Sequence, residues 1–177
     1  MVMTERDNRA VWKRALITVP LIVGIGSLMG YLSNSGYSNA WFARLDKPAF
    51  MPPGWAFGVV WTTLYTLMGV SLAMILDEPD SKLRRGALAL FGVQLGLNFG
   101  WSPIFFGGRM IDLALIIIVL MLLSAAGAAN LFRRLRPLAG WLLLPYLLWL
   151  CLATALNYET GRLNPGADAA PLGITGA

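Results

Sequence analysis

The 177-residue chain contains no histidine. That removes the commonest metal ligand, general base and proton shuttle. Haem held through an axial imidazole is excluded with it, leaving Cys151, a methionine or a tyrosine for that role. Cys151 is also the single cysteine, so no disulfide framework exists. Charge is scarce: 13% of residues are Asp, Glu, Lys or Arg, against about a quarter in a soluble domain. Neither an intramembrane carboxylate nor a histidine is present to line an ion path or proton relay, which disfavours an ion pump or a proton-coupled carrier. No nucleotide-binding glycine loop and no nucleophile–base pair occurs, so a conventional hydrolase or transferase has no support.

What is abundant is apolar sequence, at 57% of the chain. Charged residues are absent from Ala15 to Ala43, Pro48 to Leu76, Gly86 to Gly108, Leu113 to Phe132 and Pro137 to Tyr158. Each stretch contains the roughly 20 residues a helix needs to cross the hydrocarbon of a bilayer. The expected fold is an all-α membrane bundle in one domain, residues 1–162, with spans near 15–32, 55–76, 86–107, 113–132 and 137–158. The tail, 163–177, is rich in Gly, Ala and Pro and is expected to be disordered. The basic N-terminus followed by apolar sequence resembles a signal peptide. However, the run is longer than a signal core and Ser38-Asn39-Ala40 is a poor cleavage site, so it is read as the first span.

The net charge of +5 does not indicate nucleic acid, because its distribution follows the spans. Arg6, Arg9, Lys13, Arg14, Lys82, Arg84, Arg85, Arg133, Arg134 and Arg136 fall on one face, and Arg44, Lys47, Arg109 and Arg162 on the other. Positive-inside bias makes the first face cytoplasmic, with the N-terminus inside and the C-terminus outside. It favours the bacterial cytoplasmic membrane as host.

Short connections after the second, third and fourth spans imply an up-down bundle of antiparallel neighbours. The first loop is longer and includes "SNAWFARLDKPAFMPPGW". Ser38 or Asn39 is placed to cap a short helix through Trp41 and Leu45, which Lys47-Pro48 would stop. Pro52-Pro53 would then lead into the second span in extended form. In the third span, Gly92, Gly96 and Gly100 share one face at about 100° per residue, while Gln94, Asn98, Trp101 and Phe105 share another. The small stripe suits close helix packing, either inside the monomer or in a homodimer, with Gly26 and Gly30 of the first span as a partner stripe. The amides of Gln94 and Asn98 need hydrogen-bond partners inside the bundle, and Pro103 opens the helix.

The same spacing aligns Phe57, Trp61, Tyr65 and Met68 in the second span. In the fifth it aligns Tyr146, Trp149, Ala153 and Asn157, with a kink expected at Pro145. The fourth span has no aromatic residue before its final Phe132 and is assigned to lipid contact and packing. Three aromatic, weakly polar stripes form either an ordinary bundle interior with interfacial belts or a pocket for a flat hydrophobic ligand.

Three motifs carry a resemblance: "WFARLDKPAFMPPGWAFGVVWTTLYTLMG" (41–69), "NFGWSPIFFG" (98–107) and "LPYLLWLCLATALNYETGRLN" (144–164). They resemble the tryptophan-rich sensory protein / translocator protein family (TspO/MBR, also called the peripheral-type benzodiazepine receptor), across all five spans in order. The resemblance implies a five-helix membrane bundle, often homodimeric, with a ligand pocket beneath the first loop. Members bind porphyrins, notably protoporphyrin IX, and animal members also bind cholesterol and drug ligands. It implies that Trp61, Asn98 and Trp149 line the pocket, with Tyr65, Trp101, Phe105 and Tyr146 as further lining and Trp41 and Pro48 in the lid; Phe57 joins the candidate lining through its place on the second-span stripe. Ala153 matches a small position where a larger residue alters binding.

The implied function is a tetrapyrrole receptor or sensor with porphyrin as ligand, no required cofactor or metal, and membrane lipid and a second copy as partners. Two alternatives accompany it: light-dependent porphyrin breakdown, with Trp61 and Trp149 as the implicated residues, and porphyrin or sterol transport. Family members also occur in outer membranes. Leu156, Tyr158 and Arg162 fit a loose sterol-recognition pattern and also fit ordinary interfacial anchoring. Phe42 departs from the family, where many relatives have Tyr.

Overall fold

The computed structural model describes the backbone of residues 5–176 and the side chains of residues 10–176. Arg6 and Arg9, which enter the charge count above, lie outside the described side chains, and Ala177 lies outside the described residues. The described chain is helical, and five segments are long and apolar enough to cross a membrane: Ala10–Leu32, Gly54–Leu76, Lys82–Gly107, Ile111–Leu135 and Pro137–Leu163. They belong to α1 (Glu5–Leu32), α3 (Gly54–Leu76), α4 (Lys82–Ser102), α5 (Ile111–Leu135), and the pair α6 (Pro137–Trp141) and α7 (Leu144–Leu163). The first loop carries a lid helix, α2 (Ala40–Arg44).

Local chemistry sets the boundaries. Asn39 caps α2, its side-chain oxygen accepting the N–H groups of Trp41 and Phe42 at 3.1 Å each. Ser38 instead donates to the Asn34 side chain. Ser81 caps α4 by accepting Arg84 N–H. At the end of α3, the Arg84 guanidinium donates to the carbonyls of Ile75 and Leu76, the orphan acceptors of a helix C-terminus. Pro103 opens a wider, π-helical turn over Pro103–Gly107, closed by Gly108 N–H on the Pro103 carbonyl.

Pro145 does not kink the fifth span. It sits in the first turn of α7, where a missing N–H costs nothing, and the break falls before it at Leu142–Leu143, between α6 and α7. Short loops also do not make every sequential pair a packed pair. α4 packs along α5, α5 along α7, and α1 along α3, with α1 also reaching α4. The α3 backbone stands off from α4 and α7, and side chains and a cavity occupy the space between. The α1–α3 contact is tight because Gly69 meets Val19: an added Cβ would lie 2.7 Å from the Val19 Cα. Thr18 Oγ1 donates to the Gly69 carbonyl at 2.7 Å on the same seam.

α5 has one side packed in the bundle and one side facing outward. Ile118, Met121, Ala125 and Ala128 are buried, while Leu120 and Leu123 on its other side face outward. The basic end of the bundle is laced by ion pairs, Arg14 with Asp77 and Arg136 with Asp77 and Glu78.

The expected disordered tail is instead a docked strap over the lid end. Asp112, fully buried at the start of α5, makes no ion pair among the described residues and accepts four bonds from the tail. They come from Leu172 N–H (2.8 Å), Ile174 N–H (3.1 Å), Thr175 N–H (3.2 Å) and Thr175 Oγ1 (2.7 Å). In return, Asp168 accepts the Asp112 N–H at 2.7 Å. Asn164 pairs twice with the lid backbone, its oxygen taking Asp46 N–H and its amide donating to the Asp46 carbonyl. Composition argued for disorder because little apolar area is available; a buried carboxylate demanding donors supplies the missing reason to order. Gly166 and Gly173, at φ +82° and +73°, make the turns that aim those donors.

Candidate ligand cavity

The aromatic stripes of α3, α4 and α7 converge on one cavity of about 660 Å³. Helical spacing stacks Phe57, Trp61 and Tyr65 along α3, and Trp149 and Ala153 along α7, and both rows face it. The rings meet edge-on: Trp61 and Trp149 centroids are 6.3 Å apart at 84°, and Phe57 and Trp149 5.7 Å apart at 77°. Such geometry sets the positive edge of one ring against the negative face of another. Trp101 stacks on Phe105 at 4.9 Å from the α4 side.

At the inner wall, the Asn98 carboxamide is fully used. Its oxygen accepts the Tyr65 hydroxyl at 2.8 Å, and its nitrogen donates to the Tyr146 hydroxyl at 2.9 Å and approaches Met121 Sδ at 3.5 Å. Tyr65 fits because α1 presents a glycine beneath it; a Cβ on Gly26 would lie 2.2 Å from the ring. The second amide of the stripe fares differently. Gln94 is buried beside Met68, does not line the cavity, and its side-chain oxygen has no partner. The indole N–H of Trp101, that of Trp149, and the side-chain oxygen of Asn157 also have no partner among the described residues, and all three residues line the cavity.

The lid closes the open end. Phe42 of α2 and Leu45 just after it pack with Phe105, Ile111 and Ala114 in a small apolar cluster. Ser35 and Ser102 hydroxyls meet at 2.7 Å, and Asn39 donates to the Phe106 carbonyl, so the loop is tied to α4 and its π turn. Lys47 ends α2 by donating to the carbonyls of Phe42 and Leu45 while its ammonium sits 4.5 Å over the Phe42 ring. Partial burial lowers the Lys47 pKa from the usual lysine range, against the opposing pull of Asp46.

Of the residues singled out in sequence, Phe57, Trp61, Tyr65, Asn98, Trp101, Phe105, Trp149, Ala153 and Leu156 line this cavity. Tyr146 lies one layer behind it, fully buried against Asn98. Trp41 turns to the opposite side of the lid, edge-on to Phe105, and Pro48 is buried within the lid, where its carbonyl accepts Met51 N–H. The sterol pattern does not gather on one surface. Leu156 points inward, Tyr158 is exposed, and Arg162 pairs with Glu159 at 2.7 Å. The Gly92, Gly96 and Gly100 stripe does not pack within the chain either, since a Cβ at any of them meets nothing within 4 Å.

Sequence reasoning missed the α1 wall at Gly26, Ser27 and Gly30 and the floor residues Ile118 and Met121 of α5. The Gly26/Gly30 stripe was the available signal, read as a packing seam and here a notch for Tyr65.

Comparison with known proteins follows the same lines. The model of the TspO/MBR family matches residues 16–163. The chain is similar to the translocator protein of Homo sapiens, at 38% identity over 148 residues, 82% of this chain and 88% of that one. It is similar to the tryptophan-rich sensory protein of Cereibacter sphaeroides, at 39% over 126 residues, 71% of this chain and 78% of that one. Protein CrtK of Rhodobacter capsulatus is 39% identical over 129 residues, 72% of this chain and 81% of its own length.

Proposed function

Since the chain belongs to the TspO/MBR family, we propose that its cavity is a receptor site for tetrapyrroles of the protoporphyrin IX type and for other flat hydrophobic guests. One observation carries the reading: Trp61, Trp149 and Phe57 stand edge-on around a single cavity whose volume lies within the few-hundred to thousand Å³ range of small-molecule sites. A planar guest gains apolar burial and stacking there. The unpartnered indole N–H groups and Asn157 oxygen beside the cavity give a polar edge something to satisfy.

Binding without turnover is the better-supported form. Among the described residues no Asp, Glu, Lys or Arg lines the cavity, and its polar lining consists of hydroxyl, amide and indole groups, which orient a guest and do not move protons at neutral pH. The protein acts in a membrane with its N-terminus cytoplasmic, by the charge asymmetry of its ends, and the bacterial cytoplasmic membrane is the favoured host. Its glycine stripe on α4, free of contacts in the monomer, is the surface through which two copies would pair.

Titration of protoporphyrin IX into purified protein should quench tryptophan fluorescence at micromolar ligand. The Trp61→Phe/Trp149→Phe pair should weaken that binding by about tenfold, the worth of one lost stacking contact of ~1.4 kcal/mol. Absence of quenching in the wild type counts against the reading. Under illumination, an absorbing product formed several times per protein molecule and lost in the double variant would move it to an enzyme.

A further inference from the structure

We propose that a second groove, between α2, the turn at Gly108–Met110 and the C-terminal strap, binds a phosphate group. The groove holds about 460 Å³ and is lined by Trp41, Arg44 and Leu45 of the lid side, Arg109 of the turn, and Ala167 and Asp168 of the strap. No residue lines both it and the central cavity.

Its charge is what calls for a ligand. Among the described residues, neither the Arg44 nor the Arg109 guanidinium makes an ion pair or hydrogen bond, as is also true of Arg133 and Arg134 at the opposite end, whereas Arg14, Arg84, Arg85, Arg136 and Arg162 pair with carboxylates. Asp168 shares the groove, but its two oxygens already accept Asp112 N–H at 2.7 Å and Ala170 N–H at 2.9 Å. Arg44 and Arg109 both line the groove, and an anion bound there is attracted to each of them. A guanidinium fork matches the oxygens of a phosphate, which accepts from two such forks at once.

The backbone fixes the second of these arginines. Arg109 is held at φ +55°, a left-handed conformation that disfavours any residue with a side chain, and its carbonyl accepts Ala169 N–H at 3.0 Å. The strap and the arginine are thus one unit. Residues 166–169 also lie beyond the stretch matched by the family model, so this wall is supplied by the chain's own tail.

Position favours a lipid headgroup as the source of the phosphate. The groove sits at the lid end, where α1 and α4 finish and α3 and α5 begin, which is where spans meet headgroups. Trp41 gives it the amphipathic wall usual at that depth. Free phosphate offers the same chemistry and is separated from lipid by experiment.

Dihexanoyl-phosphatidylglycerol is titrated onto detergent-purified full-length protein and the bound species counted by native mass spectrometry. One site is expected whose affinity falls about tenfold or more in Arg44→Gln/Arg109→Gln, since charge-assisted bonds are roughly twice as strong as neutral ones. Arg44→Lys/Arg109→Lys should lie between the two, keeping charge without the fork. Inorganic phosphate is then added in competition: displacement of the lipid at low millimolar phosphate identifies a general phosphate site, and its failure to displace identifies the headgroup. Equal binding by the wild type and the double Gln variant overturns the proposal. Both arginines are exposed, so the variants leave the packed interior untouched.

Discussion

The Tyr65 hydroxyl lies 2.8 Å from the Asn98 side-chain oxygen, and that one bond joins α3 to α4 where their backbones stand apart. Asn98 spends its nitrogen on Tyr146 of α7, so a single carboxamide connects all three aromatic walls.

Asn98→Leu should therefore destabilise the bundle by about 2–4 kcal/mol, because two buried tyrosine hydroxyls lose their partner. Tyr65→Phe should cost only about 1 kcal/mol. Thermal unfolding in detergent measures both, and a double-mutant cycle between the two positions should show strong coupling. Additive effects would mean the bond contributes little.

The glycines on α1 and α4 should behave oppositely. Gly26→Ala places a methyl 2.2 Å from the Tyr65 ring and should cost about 1–3 kcal/mol, an overpacking penalty, while lowering porphyrin affinity. Gly96→Ala meets nothing in the chain and should leave monomer stability unchanged or raised, since alanine is the better helix former. Gly96→Leu should reduce the dimer fraction in light-scattering chromatography; an unchanged dimer places the interface elsewhere.

Removing residues 164–177 strips four donors from the buried Asp112 carboxylate. Hydrogen bonds to a buried charge are worth about 1.5–3 kcal/mol each, so a loss of at least ~2 kcal/mol is expected. Asn164→Ala removes the two bonds to Asp46 and one to the Thr160 carbonyl within α7. It should speed hydrogen exchange across residues 40–48 with little change in melting temperature. Unaltered exchange there would show that the strap does not restrain the lid.

Orientation is testable by accessibility. In a Cys151→Ala background, Arg109→Cys at the lid end should react with membrane-impermeant maleimide in intact cells, and Asp80→Cys at the basic end should not. The reverse pattern would invert the topology.

Much of the site could be read before any coordinates, for a definite reason. Asn98 in an apolar span must find partners in the interior, so its face and that of Trp101 and Phe105 were bound to point inward. The same logic applied to Gln94 gave the right direction and the wrong outcome: it is buried, yet it meets Met68 and not a polar group. Periodicity states which side of a helix is inside, not what waits there. Trp41 shows the same limit, since its place in the lid was legible and its turn away from the cavity was not.

Composition alone determined that this chain crosses a membrane five times, because 20-residue runs without charge have no other stable home, and its amide and indole positions determined which faces turn inward. Three things were decided only by the tertiary structure. α1 fits Gly26 beneath Tyr65, α3 stands away from α4 to leave the cavity, and a glycine-rich tail orders onto Asp112. Each depends on a contact between residues far apart in sequence, and side-chain spacing along one helix holds no information about the distance to the next.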